Sequence, residues 1–300
     1  MILAIAAAVV LGAPQGDSLR QQVESRVAQE PGAQVGLAYI DLGTGDTLFV
    51  NADSSFHAAS TMKVPVMIEL FRRAATGSFR MDQPLLLVNQ FASIVDGSPY
   101  SLDKNSDSDS TLYSRIGQRV RVDTLLRLMI TRSSNFATNT LIELVGASAV
   151  TATMRSLGAS RIQVLRGVED GKAFDKGLNN TTTARDMATI LRAIEEGRAA
   201  SPEATRQMRD ILLAQEFNER IPAGLPPGVK VAHKTGDITA IAHDAAIVYP
   251  PGRAPYVLVV LTRGIKESKQ SDKLIADLSR IIYEHDRAFA GIRAGAGGHE

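Results

Sequence analysis

The chain has 300 residues, 44% of them apolar and 22% charged, with a formal net charge of +1 at pH 7. That is the composition of a globular protein able to bury a sizeable core in one large domain or two intertwined ones. The absence of cysteine excludes thiol catalysis, disulfides and cysteine zinc sites, and no basic run or aromatic-interleaved basic stripe points to nucleic acid.

Residues 1–11 form an apolar run too short to span a bilayer. It is similar to the hydrophobic stretch of an export signal, although no basic residue precedes it and Pro14 sits badly for cleavage after Ala13. Residues 18–29 carry the pattern of an amphipathic helix ended by Pro31-Gly32, and 35–40 and 47–50 read as strands joined by the turn residues Gly43-Thr44-Gly45-Asp46. Helical patterns follow at 61–75, 124–131, 135–145, 149–157, 184–196 and 202–214, with Asp123 and Thr183 as expected N-caps. Strands are predicted again at 229–234, 244–249 and 256–262, then a closing helix at 268–288 and a loose Gly/Ala-rich tail.

Strands at both ends with helices between them predict an α+β fold: a five-stranded antiparallel sheet flanked by the terminal helices, with an inserted all-α lobe. The expected divisions are an apolar N-terminus at 1–16, a discontinuous sheet domain at 17–60 and 216–290, a helical domain at 61–215 and a flexible tail at 291–300. Residues 89–117 are rich in Ser and Asp; Asp96, Asp103, Asp107 and Asp109 lack the terminal glutamate of an EF-hand, so the segment reads as a solvated surface loop.

Ser60-Thr61-Met62-Lys63 places a hydroxyl and an amine on one face at the start of a helix whose Val64, Val66, Met67, Leu70 and Phe71 have buried spacing. A serine needs a neighbouring base to become a nucleophile, and a helix start offers free N–H groups to an oxyanion. Chance supplies a Ser-x-x-Lys string about once in such a chain. A second copy, Ser101 to Lys104, lies in the Ser/Asp-rich loop without helical periodicity and is set aside. Two later strings change the odds. Ser133-Ser134-Asn135 sits between two helical segments, and Lys234-Thr235-Gly236 ends an apolar strand; the latter string arises by chance in fewer than about one in ten such chains.

In this order and at these separations the three strings resemble the penicillin-recognising serine hydrolases, and most closely class A β-lactamases, whose pattern is Ser-x-x-Lys, Ser-Asp-Asn and Lys-Thr-Gly. The segments from Phe56 to Lys63 and from Thr181 to Ala184 also look like family segments. The resemblance implies that Ser60 is acylated, that Lys63 accepts or relays its proton, and that Ser133 passes a proton to the departing nitrogen. It further implies that Asn135 binds the substrate side-chain amide, that Lys234 and Thr235 with Gly236 hold the substrate carboxylate, and that the N–H groups of Ser60 and Asp237 form the oxyanion hole. Clustered ammonium groups would lower the Lys63 pKa, the direction a base requires.

The chain departs from the family in three places. Ser134 stands where the family has Asp. The Glu-x-x-x-Asn element of the family's omega-shaped loop is missing: Glu169 is the nearest candidate for the base that activates the deacylating water, about one residue off register with Arg166, and Arg166 is expected to face Asn180. Asp237 brings a carboxylate close to the anion site, where it would repel a substrate carboxylate or pair with Lys234. His57, His233 and His243 are read as structural residues, and among all five histidines (with His285 and His299) no metal spacing occurs.

The expected activity is therefore β-lactam hydrolysis through a Ser60 acyl-enzyme. The alternatives are a D,D-peptidase, esterase or amidase with slow deacylation, or a non-catalytic binding module. No cofactor or metal is expected. The partner is a β-lactam or cell-wall peptide rather than nucleic acid, the chain is expected to act as a monomer, and its expected location is periplasmic or secreted.

Overall fold

The computed structural model describes residues 15–296, with side chains described for 18–287. The expected export signal at 1–11 and residues 297–300 of the expected tail lie outside those residues, whereas 291–296 continue the closing helix. Among the described residues no helix is long and apolar enough to cross a membrane.

Helix α1 (Gln15–Ala28) leads into the hairpin of β1 (Gln34–Asp41) and β2 (Thr47–Val50). The turn is held by Asp41, whose Oδ1 accepts the N–H groups of Gly43 (2.7 Å) and Thr44 (3.0 Å). After β3 (Phe56–His57), a 3-10 turn over Ala59–Met62 runs without a break into α2 (Lys63–Ala75). Short strands β4 (Pro84–Leu86), β5 (Phe91–Ala92), β6 (Pro99–Tyr100) and β7 (Arg119–Arg121) precede α3 (Val122–Thr131), α4 (Asn135–Val145) and α5 (Ala147–Ser156). Then come α6 (Gly171–Asp175), β8 (Thr181–Thr182), α7 (Ala184–Glu195) and α8 (Pro202–Leu213). The chain closes with β9 (Lys230–Ile238), β10 (Ile241–Tyr249), β11 (Tyr256–Arg263) and α9 (Ser268–Ala296).

The main sheet is antiparallel and five-stranded in the order β2-β1-β11-β10-β9. Its strands alternate between two apolar cores. Leu37, Tyr39, Leu258 and Val260 pack with Leu19 and Val23 of α1 and Leu274, Leu278 and Ile282 of α9. Ala38, Ile40, Val257, Val259 and Leu261 face the helices of the other side. A sheet covered on both faces needs uninterrupted apolar runs, which is why 256–261 reads as one in the sequence. Helix α2 is buried from Lys63 to Phe71 on every face and forms the axis of the helical lobe. Each fully buried Val, Leu, Ile or Met there contributes about 1.5–3 kcal/mol.

The α+β architecture and its five-stranded sheet agree with the sequence, but the lobe is not purely helical, since β3–β8, β4–β7 and β5–β6 form two-stranded ribbons. Asp123 is not an N-cap: it lies in the first turn of α3, after Arg121 at the cap, and pairs with Arg121. The 89–117 segment is not a solvated loop. It contains the β5–β6 hairpin, and Asp107 and Asp109 within it are buried. Among the described residues no group of His, Cys, Asp or Glu could hold a metal ion. Ser101 is tied to the Asn89 carbonyl (2.7 Å), and Lys104 is exposed.

Thr183 does cap α7, its hydroxyl accepting the Asp186 N–H at 3.1 Å. Thr183→Ala should therefore lower stability by about 1 kcal/mol in denaturant titration, with Thr183→Ser close to the native value.

Candidate active site

Ser60 sits at the junction of sheet and lobe. Its turn starts from Ala59 at a φ of 45°, a conformation secured on three sides. His57 Nδ1 accepts the Ala59 N–H (3.0 Å), and the Ala58 carbonyl accepts both the N–H (3.1 Å) and the hydroxyl (2.6 Å) of Thr61. His243 Nε2 lies 2.8 Å from the His57 carbonyl, and its Nδ1 lies 2.8 Å from the Ala242 carbonyl and 3.1 Å from the Thr262 nitrogen. Burial lowers the His243 pKa to about 4, so this histidine stays neutral and braces β3 from behind Ser60. His57 is likewise packed, edge-on to Phe174, and His233 pairs with Asp244 (3.0 Å) inside the sheet domain. The third side is β9. A Cβ on Gly236 would stand 3.0 Å from the backbone nitrogens of both Ser60 and Thr61, so only glycine lets the strand approach the Ser60 turn this closely.

Beneath Ser60 two fully buried lysines meet at one hydroxyl. Lys63 Nζ is 3.1 Å and Lys234 Nζ 3.0 Å from Ser133 Oγ. Lys63 also donates to the Ser133 carbonyl (2.6 Å) and Asn135 Oδ1 (2.9 Å), and Lys234 to the Thr235 carbonyl (2.8 Å). Burial and then the charge of Lys234 drive the Lys63 pKa well below that of an ordinary lysine. Burial also lowers Lys234, to about 7, against the pull of Asp237 and Asp244. The geometry suits one neutral and one charged amine: Lys63 as NH₂ gives its two hydrogens to the Ser133 carbonyl and Asn135 and takes a third bond from the Ser133 hydroxyl.

Ser133 holds this position at a φ of 57°. Ser134 caps α4 by accepting the Ala137 N–H, and an acid from elsewhere in the chain supports the turn where the family pattern has Asp. Asp107 accepts the backbone N–H groups of Asn135 and Phe136, each at 2.9 Å, and the Tyr113 hydroxyl at 3.0 Å. Asn135 then links Lys63 to Glu169, its Nδ2 donating to Glu169 Oε1 at 2.7 Å. Desolvation in the cleft, reinforced by the Asp107 charge, raises the Glu169 pKa against the Asn135 hydrogen bond. Glu169 itself has a φ of 60°. Of the five non-glycine residues with positive φ among those described, Ala59, Ser133 and Glu169 thus lie here, a concentration of backbone strain characteristic of functional sites.

Two expected contacts are replaced. Asp237 pairs with Arg220 rather than with Lys234. Arg220 is buried and reaches Asp272 (2.7 Å) and the carbonyls of His243 (2.8 Å) and Gly236 (3.3 Å). The guanidinium of Arg166 does not meet the Asn180 side chain. It donates to the Leu178 carbonyl (2.9 Å) and Asn179 Oδ1 (3.0 Å), while Asn180 bonds the backbone of Arg166 in both directions. Arg220 and Asp107 were missed in the sequence because tertiary packing alone brings them here; no local spacing marks them.

The result is a cavity of about 460 Å³ lined by Ser60, Asn135, Val168, Glu169, Asp237 and Ile238, with Lys63, Ser133, Lys234 and Thr235 buried at its floor. Ser60, Asn135, Glu169 and Asp237 line it; Lys63 joins them through Asn135, and Ser133 through Lys63. A hydroxyl at a helix start, a depressed amine, a second hydroxyl and a raised carboxyl are groups that acyl transfer followed by hydrolysis can use.

The sequence matches the β-lactamase enzyme family over residues 18–285. It is 31% identical to β-lactamase AST-1 of Nocardia asteroides, across 84% of this chain and 79% of that protein. It is 29% identical to the carbapenem-hydrolysing β-lactamase KPC of Klebsiella oxytoca, across 87% and 86%. Among solved structures, PBP-A superposes with a TM-score of 0.79 at 28% identity, covering 90% of this chain and 96% of that one.

Asp107→Ala should leave the Asn135 and Phe136 N–H groups without their acceptor and cost about 2 kcal/mol or more in denaturant titration, with Asp107→Asn intermediate.

Proposed function

The chain belongs to the β-lactamase enzyme family, and from that premise we propose that it opens β-lactam rings through an acyl-enzyme on Ser60 and hydrolyses that intermediate with Glu169. The observation that carries the second half is the Asn135–Glu169 hydrogen bond of 2.7 Å, which puts a carboxylate of raised pKa on the same cavity as Ser60. A carboxyl with a raised pKa is a stronger base once ionised.

In acylation Ser60 Oγ attacks the lactam carbonyl, and its proton passes to the neutral amine of Lys63. The developing oxyanion is received by the N–H groups of Ser60 and Asp237. Collapse breaks the lactam C–N bond, and the nitrogen takes a proton from the Ser133 hydroxyl, which Lys63 replenishes. In deacylation Glu169 removes a proton from water, the resulting hydroxide attacks the ester, and the proton returns to Ser60 as it leaves. Asn135 holds the substrate's side-chain amide, and Lys234, Thr235 and Gly236 receive its carboxylate. The buried guanidinium of Arg220 adds positive charge beneath Gly236 and is offset by Asp237 and Asp272. Peptide substrates of cell-wall type share the amide and carboxylate and stand as the alternative, separated by the fate of the acyl group. Action as an exported monomer completes the proposal; export is supported by the apolar run at 1–11.

Intact-protein mass spectrometry during exposure to benzylpenicillin tests the reading. Wild type should show a transient penicilloyl adduct, Ser60→Ala none, and Glu169→Gln an adduct whose hydrolysis is slower by about 10² or more. A persistent adduct on wild type would support the peptidase alternative, and labelling of Ser60→Ala would remove the nucleophile assignment.

The pH profile is a second check. The Lys234 ammonium is present below its pKa of about 7 and lost above it, so kcat/KM for carboxylate-bearing substrates should fall as pH rises through that value. Lys234→Arg, which stays charged, should move this limb to higher pH. Lys63 sets the opposite limb, since its neutral form disappears as pH falls through its lowered pKa.

A further inference from the structure

Glu169 occupies the left-handed region, which disfavours any residue with a Cβ, and it has no glycine's freedom to relax. Both of its chain neighbours are fixed by partners from other elements. On one side Asn139 of α4 makes two bonds to Val168: Asn139 Oδ1 accepts the Val168 N–H (2.6 Å) and Asn139 Nδ2 donates to the Val168 carbonyl (3.0 Å). The Tyr100 hydroxyl donates to the same carbonyl at 3.2 Å. A Cβ on Gly167 would stand 2.4 Å from Asn139 Oδ1, so this clamp closes only over a glycine.

On the other side stands Asp170, 2% exposed. Its Oδ1 accepts the Ser93 hydroxyl (2.9 Å) and the Ala173 N–H (3.1 Å), and its Oδ2 accepts the Ile94 N–H (2.9 Å). Ser93 and Ile94 open the turn of the β5–β6 hairpin. Lys172 grips that turn a second time, through Asp96 Oδ2 (2.8 Å) and Ser98 Oγ (2.7 Å). Burial alone would raise the Asp170 pKa, but the donors converging on the carboxylate outweigh it and hold the group below the ordinary carboxylate range. The charge is therefore permanent at neutral pH, and the site demands it. An asparagine could not substitute, because its amide nitrogen would face either the Ile94 or the Ala173 N–H.

We infer that Asp170 is a positioning residue for hydrolysis of the acyl-enzyme: bound by the β5–β6 hairpin, its carboxylate sets the direction in which Glu169 enters the cleft. The bracket of Asn139 before Glu169 and Asp170 after it supplies the rigidity that the strained residue lacks, and it explains why a Ser/Asp-rich segment without a core of its own folds against this loop. The inference rests on Glu169 as the water-activating base.

Rapid-quench mass spectrometry with benzylpenicillin resolves acylation from deacylation in wild type, Asp170→Asn, Glu169→Gln and the double variant. Asp170→Asn should slow deacylation roughly 10- to 100-fold, the effect of displacing a catalytic group by about 1 Å, while acylation changes by less than about threefold. The double variant should deacylate no more slowly than Glu169→Gln alone. Ser93→Ala, which removes one donor and leaves no buried charge unpaired, should slow the same step several-fold and keeps the test valid if Asp170→Asn does not fold. A parallel loss of acylation and deacylation, unchanged deacylation, or additive slowing in the double variant would overturn the inference. If Glu169→Gln is slow but Asp170→Asn is not, only the positioning role falls. If Glu169→Gln deacylates like wild type, the base assignment falls and the inference falls with it.

Discussion

Two lysines are buried against a single serine hydroxyl, and the rest of the site is arranged around that repulsion. Lys63 and Lys234 come from elements far apart in the chain, a helix of the lobe and an edge strand of the sheet, yet both side-chain nitrogens lie within 3.1 Å of Ser133 Oγ. At such range two full charges in a poorly solvated place are strongly unfavourable, and both amines are pushed down from the ordinary lysine value. For Lys63 burial acts first and the Lys234 charge second, against the pull of Asp107 and Glu169; for Lys234 burial acts against Asp237 and Asp244.

That arrangement requires the sheet and the lobe to be locked in register. Gly236 lets β9 press onto the Ser60 turn, Phe56 and His243 brace the turn from behind, and α2 is buried on all faces so that Lys63 cannot escape to solvent. The remaining charges are placed to spare the pair. Asp107 spends its carboxylate on the N–H groups at the start of α4, and Asp237 is drawn to Arg220 at the rim. Glu169 then faces Lys63 through Asn135 rather than pairing with it directly.

Much of this was legible in the sequence because the decisive features are local. Helix periodicity placed 135–145 without error, the apolar run at 256–262 marked a strand, and the short strings at Ser60, Ser133 and Lys234 carry their own context. What stayed hidden depends on distant segments meeting. Asp107 looked like one more acid in a solvated loop, although it replaces the carboxylate that Ser134 lacks. Arg220 has no neighbour in sequence that marks it as the partner of Asp237. The register of Glu169 could not be settled by counting from Arg166, because a left-handed residue redirects the chain where an extended or helical one would not.

The central claim is that burial, and after it the neighbouring Lys234, hold the Lys63 amine well below an ordinary lysine. A ¹³C NMR titration of the Lys63 side chain in the wild-type protein tests it most directly, with Lys234→Ala as the comparison. The account predicts that Lys63 titrates well below an ordinary lysine and that removing Lys234 shifts its titration upward. A Lys63 that remains an ammonium up to about pH 9, close to an ordinary lysine, and does not respond to loss of Lys234 would contradict it.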